Sequence, residues 1–164
     1  MENILEVKNL KTSFFTKKGE VQAVRGVSFD IRKNEIVGLV GESGSGKSIT
    51  SKSIMRLIAH PGKITDGEVV FNNKDLLKLS DKEMRNIRGN EIDMVFQDPM
   101  TALNPLLKVG KQMSEIIMRH QKLSKEEARE KSIEMLRLVG IPSPETRIDN
   151  YPHEFSGGMR QRVC

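Results

Sequence analysis

Gly41-Glu42-Ser43-Gly44-Ser45-Gly46-Lys47-Ser48 decides how this chain folds. It fits the pattern G-x-x-x-x-G-K-[ST] at every fixed position, and each of these has its own task on a nucleoside triphosphate. The glycines let the backbone curl so that successive N–H groups face phosphate oxygens. Lys47 brings a cation to the β- and γ-phosphates, and the Ser48 hydroxyl is placed to ligate Mg²⁺. Ile49 to Ile58 reads as a helix, so the positive end of its dipole faces the same anion. On the other side, Glu35-Ile36-Val37-Gly38-Leu39-Val40 reads as a short buried strand. Strand, glycine loop and helix is the order that the motif requires.

Outward from the loop, the N-terminal residues alternate apolar and polar through Leu10, Thr12 and Phe14, and Val21 to Ile31 alternates again. Lys17-Lys18-Gly19 is the turn between these two antiparallel strands. After the loop helix, His60-Pro61-Gly62 breaks the pattern and Gly67 to Phe71 reads as a further strand. Ser80 with Glu83 is a capping box that opens a short helix to about Arg88, and Ile92 to Phe96 reads as a second buried strand. From Pro105 the character is helical. Val109 to His120 carries Val109, Met113, Ile116 and Ile117 at helical spacing. A second capping box, Ser124 with Glu127, starts a helix with Ala128, Met135, Leu136 and Val139 on its apolar stripe, stopped by Gly140, Pro142 and Pro144. Met113 reads as core packing on its stripe; with Met118 it could otherwise offer an adaptable surface to a partner helix.

At 164 residues the chain can bury one core. No apolar run is long enough to span a bilayer, and Met1-Glu2-Asn3 does not open a secretory signal. A single cysteine, Cys164, excludes an intramolecular disulfide. The net charge of +5 suits nucleic acid, anionic lipid or a tetra-anionic nucleotide, and aromatics at 4% show no stacking platform for nucleic acid, so no nucleic-acid partner is expected.

Near the end stands Phe155-Ser156-Gly157-Gly158-Met159-Arg160-Gln161-Arg162. Ser156 is a good helix N-cap, and the two glycines beside it expose N–H groups to an anion. With this motif behind a phosphate loop and a helical insert, the chain resembles the nucleotide-binding subunits of ABC transporters, whose signature pattern is [LF]-S-G-G-x-x-Q-R. Gln97-Asp98-Pro99-Met100-Thr101-Ala102-Leu103-Asn104-Pro105 and Tyr151-Pro152-His153-Glu154-Phe155 look like the oligopeptide/dipeptide-importer branch. Nickel and glutathione importers share these strings, and non-transport ABC proteins of DNA repair or the ribosome are the alternative class.

The resemblance implies an α/β P-loop ATPase core with an N-terminal antiparallel β subdomain and a helical insert. The boundaries it implies are residues 1–97, the helical subdomain 98–155, and the start of the signature helix at 156–164. It implies ATP and Mg²⁺ as cofactors. The loop residues Gly41, Glu42, Ser43, Gly44, Ser45, Gly46, Lys47 and Ser48, with Ile49 behind them, would hold the phosphates. Lys47 and Gln97 are the expected catalytic residues, Ser48 and Gln97 the metal-facing ones, and Gln97 is assigned to the Q-loop. Phe14 is expected to stack on adenine, with Phe15 as the alternative. Ser156, Gly157 and Gly158 would bind the γ-phosphate held by a second ATPase subunit in a head-to-tail dimer. Two transmembrane permease subunits would dock on the helical insert at the cytoplasmic face of the membrane, served by an extracytoplasmic peptide-binding protein. Family members continue past the signature into a strand ending in Asp-Glu and a switch histidine. His60, His120 and His153 all precede that place, so the chain reads as part of a longer ATPase that binds ATP without efficient turnover by itself.

Overall fold

The computed structural model describes residues 2–96 and 102–164, which divide into two units, Met1–Arg85 and Asn86–Cys164. Gln97, the expected Q-loop residue, lies outside the described residues.

In the first unit, β1 (Asn3–Thr16) and β2 (Gly19–Arg32) form a long hairpin, closed where Thr16 Oγ1 donates to Gly19 O at 2.9 Å. β3 (Gly62–Phe71) pairs with the other edge of β1, and β4 (Lys74–Asp75) with β3, giving an antiparallel sheet of order β2-β1-β3-β4. Alternation buries Leu5 and Val7, then skips to Leu10. The skip is a bulge: Asn9 takes φ 49° and its N–H donates to Ser28 Oγ at 2.8 Å. Gly67 faces the bulge at φ +109°, where a Cβ would lie 2.6 Å from Leu10 Cα, so only glycine lets β3 pass. Leu10 and Val69 are fully buried on the inner face.

Helix α1 (Lys47–Ile54) is shorter than the expected Ile49 to Ile58. It stops because Arg56 takes φ 52° and Leu57 N and Arg56 N turn back to Lys52 O (2.7 Å) and Ser53 O (2.9 Å). The Arg56 guanidinium secures this end, donating to Leu79 O at 2.5 Å and Leu76 O at 3.2 Å and pairing with Asp81 at 3.1 Å. Helix α2 (Asp81–Ile87) opens with the Ser80–Glu83 capping box, as its sequence specifies.

Two expected strands are absent. Glu35–Val40 carries no ladder, and Ile36 is 99% and Val40 92% exposed. Ile92–Phe96 is likewise irregular apart from the single bridge Arg88↔Ile92, with Val95 79% exposed. A strand exists only by pairing, and among the described residues no strand lies beside either run. Apolar character alone therefore did not produce a strand.

In the second unit, α3 (Val109–Gln121) and α4 (Lys125–Leu138) form a helical hairpin, followed by α5 (Pro144–Arg147), a 3₁₀ turn at Pro152–Glu154, and α6 (Gly157–Val163). Val109, Leu136, Ile141, Ile148 and Phe155 form the core, with Met113, Ile133, Val139, Met159 and Val163 packed on it. Met113 is thus a core residue. Ile116 is not: it is 58% exposed. The face that α3 buries is centred on small residues, Gly110 against Ile148 and Ser114 against Ser132 of α4, and this turns Ile116 outward. Buried Ser132 Oγ of α4 lies 3.1 Å from Ser114 Oγ and donates to Ala128 O at 2.7 Å.

Candidate nucleotide site

The glycine loop leaves Val40 and enters α1 through Gly46, the N-cap residue, at φ 91° and ψ 2°. A Cβ on Gly46 would sit 2.4 Å from Ala23 O, a backbone atom of β2 that cannot yield, so both conformation and space demand glycine. Gly44 also has positive φ (+82°) but open surroundings. Ser45 N donates to Glu42 O at 3.2 Å, closing the loop on itself.

Lys47 folds back over the loop. Its Nζ donates to Gly41 O at 2.6 Å, Glu42 O at 2.7 Å and Ser45 Oγ at 3.3 Å. The ammonium is thereby seated at the mouth of the loop, beside the exposed Ser48 at the next position. Ile49 is half-buried behind them. The first turn of α1 is held by Thr50, whose N–H (2.8 Å) and hydroxyl (3.0 Å) both donate to Gly46 O. This array can do one thing chemically: hold a polyanion with a cation, a hydroxyl and a helix start.

At the far end of β1, Phe14 is half-buried, its Cε1 2.8 Å from where a Gly62 Cβ would stand, and it pairs with Val21 and Gly62 in the sheet. Phe15, on the opposite face of the strand, is 47% exposed. The sequence reading missed two residues of this unit. Thr12 and Ser53, both fully buried, face each other with their hydroxyls 2.8 Å apart. No local signal marks them, because the bond that they share joins two elements 41 residues apart.

In the second unit the signature residues start α6. Ser156 is its N-cap, accepting from Met159 N at 3.3 Å. A Cβ on Gly157 or Gly158 would meet nothing within 4 Å, and neither has positive φ, so nothing in this unit requires glycine there. The helix is fixed by Phe155, Met159 and Val163 in the core and by Arg162, whose Nη1 donates to Gly140 O (2.7 Å) and Val139 O (3.0 Å) at the end of α4. Asp149 ties the segment before it to α4 through a bidentate pair with Arg129 (2.6 and 3.2 Å), and that guanidinium holds its carboxyl below the usual range. Among the described residues no cluster of His, Cys, Asp and Glu could hold a metal ion, and no helix is long and apolar enough to cross a membrane.

A lysine seated in a glycine loop at a helix start defines a P-loop nucleotide-binding protein of α/β class. More particularly, the chain belongs to the ABC transporter family, which it matches over residues 24–164. It is 60% identical over 161 residues to the oligopeptide transport ATP-binding protein OppD of Bacillus subtilis, covering 98% of this chain and 45% of that protein. The dipeptide transport ATP-binding protein DppD of the same organism is 60% identical over 164 residues, covering 99% and 49%. Among solved structures, the dimer of MJ0796, a bacterial ABC transporter cassette, superposes with TM-score 0.82 at 30% identity over 97% of this chain and 66% of that one. The chain spans about half the length of the curated relatives it matches.

Proposed function

We propose that this chain is the ATP-gripping part of an ATPase subunit that powers import of oligopeptides or dipeptides. The observation that carries the reading is the loop at Gly41–Ser48, with Gly46 confined to glycine by Ala23 O at 2.4 Å and Lys47 Nζ seated at its mouth. Its relatives named for oligopeptide and dipeptide transport support the substrate class.

In this reading Lys47 exchanges its carbonyl partners for β- and γ-phosphate oxygens, and the loop N–H groups complete the cradle. The exposed hydroxyl of Ser48 is a hard oxygen donor of the kind Mg²⁺ accepts, with Gln97 as the second metal-facing residue. Mg²⁺, when bound, would neutralise phosphate charge. Phe14 stacks on the base, and Phe15, the more open ring, is the alternative that paired variants separate. Ser156, Gly157 and Gly158 serve the nucleotide of a second subunit, which gives a reason for the two glycines that the fold does not need. One neighbour in structure is a dimeric cassette bound to ADP and Pi, which fits a nucleotide-bridged pair. Permease subunits would hold the protein at the cytoplasmic face of the membrane.

The test is uptake of a labelled oligopeptide by cells carrying Gly158→Asp in the full-length protein. A Cβ there meets nothing within 4 Å, so the unit has room for a side chain at this position, and the soluble yield of the variant checks that it folds. Uptake falls by roughly a hundredfold or more, as for loss of an essential charge-stabilising contact. Unchanged uptake with normal expression contradicts the reading.

A further inference from the structure

A buried hydroxyl gains nothing over a methyl group of the same shape unless its hydrogen bond fixes something. Thr12 of β1 and Ser53 of α1 are both 0% exposed, with Oγ1 and Oγ 2.8 Å apart. Ser53 Oγ donates to Ile49 O at 2.7 Å, so the proton in the shared bond comes from Thr12. The bond is directional where a valine at position 12 would only pack.

What it joins is specific. Along β1, the pairing with β2 shifts register between Thr12 and Ser13, but Thr12, Ser13 and Phe14 pair in unbroken sequence with Ile64, Lys63 and Gly62 of β3, and Phe15 N donates to Pro61 O at 3.1 Å, so the β3 side ties Thr12 to the two aromatic residues that follow. Along α1, Ser53 lies five residues beyond Ser48, about 7.5 Å up the helix that begins with Lys47. We infer that Thr12 and Ser53 are a positioning pair: their bond sets the spacing between the aromatic end of β1 and the phosphate loop, and so tunes grip on the nucleoside as distinct from grip on the phosphates. The inference rests on the nucleotide reading above and holds whether Phe14 or Phe15 meets the base.

The experiment measures affinity of the full-length protein for MgATP and for inorganic tripolyphosphate with Mg²⁺. Thr12→Val removes the donor and keeps the shape. MgATP binding weakens about three- to tenfold, the worth of one hydrogen bond, while tripolyphosphate binding is unchanged. Thr12→Ser, which keeps the hydroxyl, restores the difference between the two ligands. Ser53→Ala gives the same pattern and serves if Thr12→Val does not fold. Equal weakening for both ligands, weakening for tripolyphosphate alone, or no change in either overturns the inference. Lys47→Ala separates the two levels. If it weakens both ligands while Thr12→Val affects neither, only the positioning role fails; if Lys47→Ala affects neither, the nucleotide reading itself fails.

Discussion

At the scale of single residues, the loop is built by constraints that can be ranked. Gly46 is confined twice, by φ 91° and by a backbone oxygen 2.4 Å from where a Cβ would stand; Gly44 is confined only by φ +82°. Gly46→Ala therefore costs about 2 kcal/mol or more of stability, and Gly44→Ala about 1 kcal/mol, measurable as a difference in denaturation midpoints. Equal effects at the two positions would contradict this ranking. The motif made the identities of these residues readable from sequence, but not the identity of the neighbour, since Ala23 stands far away in the chain. Thr12 and Ser53 were hidden for the same reason: a buried hydroxyl looks like a surface one until its partner from another element is known.

At the scale of elements, what was legible was what is local. The capping boxes at Ser80–Glu83 and Ser124–Glu127 formed as written, because a cap needs only residues three apart. The end of α1 has no local mark because Arg56, not glycine, takes the left-handed conformation, held by carbonyls of Leu76 and Leu79. Glu35–Val40 and Ile92–Phe96 are apolar runs without a ladder, because a strand is a relation between segments. Long-range ties of the second unit were equally invisible, among them the Arg129–Asp149 pair that braces the approach to α6. The Arg129 guanidinium keeps the Asp149 carboxyl below its ordinary value, with a smaller contribution from Lys108. A depressed folded-state value means that the stabilisation is present above the unfolded value of about 3.9 and is lost as pH falls through the folded one. Both groups are nearly half exposed, so the pair is worth only roughly 0.2–1 kcal/mol. Denaturation of Asp149→Asn against wild type shows this gap at neutral pH and a closing gap as pH drops below about 4. A gap that persists at the lowest pH contradicts the electrostatic account.

At the scale of the whole molecule, each unit offers a different half of the chemistry. The first presents a cation, a hydroxyl and a helix start to a polyanion. The second presents a capped helix whose paired glycines its own fold does not require. Family membership over residues 24–164 was readable from the two motifs together, where the phosphate loop alone would also fit kinases, GTPases and motors. Lys47 and its loop are the grip on ATP, and calorimetric titration of MgATP into this chain measures that grip. Wild type binds, and Lys47→Ala binds at least tenfold more weakly, since a charge-assisted contact to phosphate is lost. Equal affinity in the two proteins would contradict the account.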